Sequence, residues 1–339
     1  MYIKRNISWK IILRFAWVNI IVFGLWSSAA VFLYHYYGHQ GIKMSIPFQP
    51  ISLIGIAVAF YIGFKNNASY DRFWEARKIW GGIVNYSRTW SNQVLSYVNA
   101  HHDENHTDVD IPSIHQELIY RHIAWINALR LQLRQSTSFS LKRKKSVKAY
   151  ISKRPEDSLH WQNEVGAFLQ ENEYKTLIRK RNTATHLVRK QGKLLSKLMH
   201  EHKLIEHFRH IDTMATLEEL YNLQGKCERI KNTPFPRQYA YFSKVFTWIF
   251  ILLLPYGMVG EFAKLGHNQI WFCVPFCVLI SWIFITMEIV GDNSEDPFEN
   301  FINDVPMTAM CRTIEIDLRE MLGETELPDS VKPINGILY

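Results

Sequence analysis

The sequence predicts an all-α membrane protein with four transmembrane helices and a large helical region in the cytosol. Two apolar blocks lie before residue 65 and two more lie after residue 237, and each is long enough to cross a bilayer as a helix. The block between them, residues 65–237, has no stretch apolar enough to span, but its apolar residues recur at helical spacing. These observations divide the chain into membrane and cytosolic parts.

The first membrane region is predicted over residues 1–64 and contains two helices. The first helix covers about residues 15–36, an apolar segment that follows a basic start and ends in tyrosines suited to a headgroup belt. The second covers about residues 46–64, IPFQPISLIGIAVAFYIGF, which carries no charge. Because only a short link joins the two helices, we expect them to be antiparallel neighbours.

The predicted cytosolic region, residues 65–237, is mostly helical. Its charged and apolar-poor stretches, HHDENHTDVD and SLKRKKSVKAYISKRPEDS, are predicted to be loops. The segments with apolar residues at mixed three- and four-residue spacing are predicted to be helices, and they cover residues 74–98, 114–134, 185–205 and 215–230.

The second membrane region is predicted over residues 238–292. Its first helix covers residues 242–259, and its second covers residues 270–290 and is predicted to be broken by Pro275. Glu288 lies near the end of this last span; it is either a functional residue or, as we expect, an interfacial residue paired with a base such as Arg72 or Arg77.

The last predicted region, residues 293–339, is polar and becomes helical from about Met307. Four spans return the chain to its starting side, where the basic N-terminus and the basic central block also fall. Because cytoplasmic segments are rich in Lys and Arg, both termini are expected in the cytosol. The same rule accounts for the net charge of +8, so no nucleic-acid partner is predicted. The four cysteines are scattered and are expected to be reduced.

One stripe on the second predicted span has a pattern that suits a pore lining. Ile56, Phe60 and Phe64 repeat every four residues and therefore share one helical face, while small residues occupy much of the rest of the span. Such a stripe favours a hydrophobic constriction between identical helices, which is one way in which channels gate. The alternative is an ordinary helix-packing face.

Three segments together carry a family resemblance. They are the second span with the following SYDRFWEARKIWGGIVNYSR, the segment TPFPRQYAYFSKVFTWIFILLLPYGMV, and the segment GDNSEDPFENFINDVPMTAMCRTIEIDL. In this order and spacing the chain resembles the bacterial branch of the bestrophin family over nearly its whole length. The third segment is the most specific of the three.

The resemblance implies a homopentameric channel in a bacterial cell membrane, with one pore on the five-fold axis. Its partners would be the lipid bilayer and small monovalent inorganic ions, which pass without ATP. The neck of the pore would be lined by Ile56, Phe60 and Phe64. A second constriction at the cytosolic exit would fall in NTATHLV, at Thr185, His186 or Leu187. The family includes chloride channels and a cation-conducting bacterial type, so both selectivities stay open.

In eukaryotic relatives an acidic cluster after the last span binds calcium. The matching carboxylates in this chain are Asp292, Glu295, Asp296, Glu299 and Asp304. Calcium needs six or more oxygen ligands, and Pro297 and Phe298 interrupt the acidic run here. We therefore predict no cofactor and no bound metal, with calcium at these residues as the alternative.

Two other classes of function compete with a channel. The segment HHDENH, residues 101–106, together with the acidic tail would suit a membrane-bound metalloenzyme, which stoichiometric zinc or iron would reveal. A non-conducting membrane scaffold would instead be silent in bilayer recordings. The chain shows no nucleophile elbow, phosphate loop or paired catalytic carboxylates, so we predict that it is not an enzyme.

Overall fold

The computed structural model describes residues 1–6, 9–41, 44–100, 110–135 and 160–339, without the side chains of residues 9–15 and 267–268. Within these ranges the protein is all-helical, and β-pairing is limited to isolated bridges near the two termini. The α-helices are α1 Trp9–Gly38, α2 Phe48–Tyr97, α3 Ile111–Arg134, α4 Trp161–Glu164, α5 Glu171–Leu177, α6 Thr183–His200, α7 His207–Asn232, α8 Arg237–Ala263, α9 Cys273–Ser294 and α10 Met307–Met321.

The chain forms two compact units. The apolar unit comprises Lys4–Arg72 and Pro234–Glu295, and the polar unit comprises Met1–Ile3, Phe73–Thr233 and Asp296–Tyr339. Four helical segments are long and apolar enough to cross a membrane, which confirms the predicted number of spans. These segments are Ala16–Gly38, Phe48–Tyr97, Arg237–Ala263 and Gln269–Ser294.

Helix α2 is a single helix of 50 residues, whereas the sequence predicts two separate helices over residues 46–64 and 74–98. The intervening KNNASYDRF contains neither proline nor glycine, so nothing interrupts the backbone hydrogen bonds. The helix is about 75 Å long, well over the ~30 Å of a hydrocarbon core.

The predicted break at Pro275 is wrong. Pro275 is the third residue of α9, which follows the 3₁₀ turn His267–Phe272. An amide in the first turn of a helix has no intrahelical acceptor, so proline costs little there. Pro255, by contrast, lies inside α8, and the helix continues through it.

Two helices of the polar unit differ in length from their predictions. Helix α6 ends at His200 rather than residue 205, and Lys203 then takes a left-handed backbone with φ of 52°. Helix α7 begins at His207 rather than residue 215, because HFRHIDTM also lacks proline and glycine. Helix α10 begins at Met307, as predicted.

Each unit has its own hydrophobic core. In the apolar unit α2 contributes Ile51, Val58 and Ile62, which pack in one cluster with residues of α8 and α9 such as Leu254 and Cys277. The core of the polar unit is larger and includes three fully buried tryptophans, Trp80, Trp90 and Trp125. Packing therefore fixes one face of α2 in the apolar unit and leaves the other face outside the core.

Candidate ion pathway

The predicted neck residues lie on the face of α2 that the rest of the described chain does not cover. The exposed fractions of Ile56, Phe60 and Phe64 are 66%, 68% and 62%. By contrast, Val58 and Ile62 on the opposite face are 4% and 0% exposed. This helix therefore presents an isoleucine and two phenylalanines on a face that the described chain leaves exposed.

The two phenylalanines of this stripe contact each other. The ring centroids of Phe60 and Phe64 are 4.6 Å apart, and the ring planes are nearly perpendicular at 87°. In such an edge-to-face pair, the weakly positive edge of one ring points to the weakly negative face of the other. The pair therefore restrains the orientation of both rings along the stripe.

Close contact with α8 holds α2 in place. A Cβ atom on Gly55 would lie 2.8 Å from Phe250 Cε2, and one on Gly257 would lie 2.5 Å from Ile51 Cδ1. An added Cβ at either position would force the neighbouring side chain to shift, so glycine allows the two helices to approach this closely. Of the small residues of the second span, Gly55 accordingly serves packing inside the chain, whereas a Cβ added at Gly63 would meet no described side chain or neighbouring helix within 4 Å.

A buried charge cluster lies just after the stripe. Lys65 is 3% exposed, and its Nζ lies 2.6 Å from Glu288 Oε1 and 2.5 Å from Asp292 Oδ1. Ser243 donates a hydrogen bond of 2.5 Å to Glu288 Oε2. The predicted pairing of Glu288 with Arg72 or Arg77 is wrong, because Lys65 is its basic partner.

Further polar contacts tie α2 to the same end of α9. Asn66 Nδ2 donates to the carbonyl oxygen of Met287 at 3.1 Å, and Arg72 Nε donates to that of Glu295 at 2.8 Å. The Glu295 carboxylate in turn pairs with Arg237 at 3.1 Å. Ion pairs and hydrogen bonds thus join the middle of α2 to the end of α9 and the start of α8.

Two of the candidate calcium ligands lie in the apolar unit, and both carboxylates form ion pairs. Asp292 pairs with Lys65, and Glu295 pairs with Arg237. Within the described ranges, no group of three or more His, Cys, Asp or Glu side chains converges as a metal site would require.

The other calcium candidates, Asp296, Glu299 and Asp304, belong to the polar unit. Glu299 lies 3.2 Å from Lys231 Nζ, and Asp304 Oδ2 accepts the amide of Phe301 at 2.9 Å. Calcium at these residues therefore stays the alternative to the prediction that no metal is bound.

The predicted exit constriction lies in the first turn of α6. Asn182 caps this helix by accepting the amide of Thr185 at 3.0 Å. Gln224 donates to Thr185 Oγ1 at 2.8 Å, and Tyr221 donates to the Thr185 carbonyl at 3.0 Å. Leu187 is fully buried in the core of the polar unit, whereas Thr185 and His186 are partly exposed.

Sequence reasoning missed the basic residues in front of this turn. Arg179, Lys180 and Arg181 are all exposed and lead directly into the Asn182 cap. The signal was present as three consecutive basic residues before a helix start. The histidine-rich segment 101–106 and the basic segment 142–145 lie outside the described residues.

Comparison with known proteins identifies the family. A family model described as "Bacterial/Fungal Bestrophin protein" matches residues 5–320. The chain belongs to the bestrophin family. The earlier resemblance is thereby confirmed, and it extends over both units of this bestrophin.

Named relatives and a solved structure are similar over most of their length. The voltage-dependent anion channel-forming protein YneE of Escherichia coli K12 is 28% identical over 91% of this chain and 87% of the relative. The voltage-dependent anion channel-forming protein RSc3414 of Ralstonia nicotianae is 30% identical over 85% and 81%. A bacterial bestrophin homolog from Klebsiella pneumoniae superimposes with a TM-score of 0.74 at 26% identity, covering 91% and 99%.

The similarity to a solved bestrophin extends along nearly the whole chain, which shows that the fold is bestrophin-like as well as all-helical. The family and the names of these relatives point to a channel rather than an enzyme. The apolar spans and the family together place the protein in a membrane.

Proposed function

We propose that five copies of this chain form a passive channel for small monovalent ions around one central axis. The observation that carries the proposal is the outward stripe of Ile56, Phe60 and Phe64 on a helix whose other face is fixed by core packing. Family membership supports the same assignment, since the stripe lies where the resemblance implies a neck.

A neck of this composition controls the passage of ions through their hydration. Rings of isoleucine and phenylalanine offer no ligand to replace an ion's hydration shell, so a narrow neck dewets and blocks conduction. A slightly wider neck admits a partly hydrated ion without any chemical step or ATP. The edge-to-face pair of Phe60 and Phe64 supports this role, because ring orientation sets both the width and the local charge of the lining.

Anions are the conducted class that the observations favour. The relatives in Escherichia coli and Ralstonia nicotianae are named as anion channel-forming proteins. The exposed Arg179, Lys180 and Arg181 precede the proposed exit turn, and positive charge at a pore mouth concentrates anions there. We assign the exit constriction to Thr185 and His186, whose side chains are partly exposed, and not to the buried Leu187.

The proposed membrane arrangement follows from charge. The chain crosses a bacterial cell membrane four times, with both termini and most of the polar unit in the cytosol, because Lys and Arg are enriched on that side.

The test is reconstitution of the purified protein in planar bilayers under a potassium chloride gradient, with the assembly mass measured in parallel. We expect an assembly mass of five copies and currents that do not need ATP. The reversal potential should lie closer to the equilibrium potential of chloride than to that of potassium. A monomeric protein, or bilayers silent in every salt, would overturn the proposal. Stoichiometric zinc or iron in the purified protein would instead favour the metalloenzyme alternative.

A further inference from the structure

We propose that Asp71 sets the balance between anions and cations at the inner end of the neck, acting as a ring of carboxylates that opposes anion entry. The inference rests on the proposed function, because the ring exists only if α2 lines a central pore. Asp71 lies in a segment that carries the family resemblance, but the resemblance assigns this residue no role. The charge that it adds is opposite to that of the proposed exit.

The position of Asp71 follows from the geometry of α2. At ~100° per residue, Ile56 and Phe64 lie about 40° on either side of Phe60, and Asn67 and Asp71 lie about 20° on either side. The two polar residues therefore fall inside the arc that the neck residues define. Asp71 follows Phe64 by seven residues, about 10 Å along the axis.

Exposure agrees with this placement. Asn67 and Asp71 are both exposed, as the neck residues are. Asp71 forms no hydrogen bond or ion pair with any residue that the structure describes in its unit, whereas Asp292 in the same unit pairs with Lys65. The Asp71 carboxylate is thus free to act on ions beside the stripe.

Of the basic residues of α2, those in the apolar unit do not offset this charge, whereas the exposed Lys78 shares the stripe face about 10 Å beyond Asp71. Lys65 and Arg72 lie about 120–140° around the helix from Phe60, away from the stripe. Lys65 is buried against two carboxylates, and Arg72 Nε is bonded to the carbonyl of Glu295. Along the stripe face of the apolar unit, Asp71 is the first charge after the neck among the described residues.

The physical effect is electrostatic. Identical carboxylates around a narrow pore add their potentials, which lowers the local anion concentration and raises that of cations. Exposed charges are screened over about 10 Å at ~0.1 M salt and about 3 Å at ~1 M salt. The influence of Asp71 on selectivity should therefore be large in dilute salt and small in concentrated salt.

The test measures reversal potentials of reconstituted channels under a potassium chloride gradient. D71N should raise the chloride-to-potassium permeability ratio about tenfold at ~0.1 M salt and less than about twofold at ~1 M salt. N67D adds a carboxylate one turn nearer Phe64 and should lower the ratio. The matched control is E261Q, which removes an exposed carboxylate paired with Lys264 and should leave the ratio unchanged.

A thiol at position 71 gives an independent readout. The four native cysteines are buried, so charged thiol reagents should react with D71C alone. A thiol reagent with a sulfonate group restores a negative charge and should return the chloride-to-potassium permeability ratio to the wild-type value. A reagent with an ammonium group adds a positive charge and should raise this ratio above that of D71N.

The outcomes separate the two proposals. Conducting channels whose ratio is unchanged in D71N and N67D would overturn the role of Asp71 and leave the channel intact. Wild-type bilayers that are silent would overturn the channel, and the role of Asp71 with it.

Discussion

Lys65 Nζ lies 2.6 Å from Glu288 Oε1, and this ion pair joins α2 to α9 with both side chains almost fully buried. Lys65 immediately follows Phe64, the last residue of the proposed neck. Ser243 of α8 also donates to Glu288. The rotation of α2 about its axis, and hence the direction of the stripe, is therefore set by a junction of three helices.

Removal of the lysine should destabilise this junction strongly. K65M leaves Glu288 buried without its basic partner, and breaking a buried pair in this way costs about 3–5 kcal/mol. We expect a clear drop in the thermal unfolding midpoint of the detergent-solubilised protein. The double variant K65M/E288M should recover much of the loss, since it removes the fully buried pair and leaves only the partly exposed Asp292 without its lysine.

The control for this prediction is K264M, which breaks the exposed pair of Lys264 with Glu261. Exposed pairs contribute only about 0–1 kcal/mol, so its midpoint should change little. Equal effects of K65M and K264M would contradict a special role for the buried junction.

Substitutions on the exposed face of α2 should change conduction, and substitutions on its buried face should change stability. Ile56 is 66% exposed and Ile62 is 0% exposed, so the same substitution can be made on each face. The single variants I56A, F60A and F64A should each widen the neck and raise the single-channel conductance. They should leave the thermal unfolding midpoint nearly unchanged. I62A should lower the midpoint, since removing a buried isoleucine side chain costs about 2–5 kcal/mol.

Single-channel recording and thermal unfolding of the same preparations check this prediction. Unchanged conductance in all three stripe variants would argue that the stripe faces lipid. A stability loss in I56A equal to that in I62A would argue that the stripe is an internal packing face of the assembly.

Gly291 should not tolerate a side chain. A Cβ atom there would lie 2.2 Å from Asn66 Oδ1, and Asn66 also donates to the Met287 carbonyl. G291A should therefore displace Asn66 and destabilise the protein by about 1–3 kcal/mol. N66A/G291A should relieve the clash and recover part of the loss, as measured by thermal unfolding in detergent.

Gly24 provides the matched control, because its added Cβ would meet only Val278 Cγ2 at an ordinary 3.9 Å. Replacing a helical glycine by alanine without a clash is neutral or stabilising by about 0.5–1 kcal/mol. If G24A and G291A behaved alike, close approach at Gly291 would not be the reason for its glycine.

The sequence predicts what depends on local pattern and misses what depends on distant contacts. Four spans and the Ile56–Phe64 stripe follow from composition and period alone, and the structure places the stripe on an exposed face. The partner of Glu288 could not be read this way, because Lys65 is 223 residues away along the chain. The burial of Leu187 was missed for the same reason, since it depends on packing within the polar unit.

His122 should make the stability of the polar unit depend on pH. Its ring is fully buried, its Nε2 lies 2.8 Å from Ser87 Oγ, and it packs between Trp90 and Trp125. Burial without a charged partner lowers the pKa of His122 to about 3, against about 6.5 for a free histidine. The imidazole is thus held neutral in the folded protein at physiological pH.

The sign of the effect follows from proton uptake. Between about pH 6.5 and pH 3 the unfolded chain binds a proton at His122 that the folded chain does not, so the free energy of unfolding falls as the pH falls. Denaturant unfolding in detergent at several values between about pH 7.5 and pH 4.5 should show this loss. H122Q keeps a hydrogen-bonding side chain but cannot take up the proton, so its stability should fall less steeply over the same range. Equal slopes for the wild type and H122Q would show that this histidine is not the titrating group.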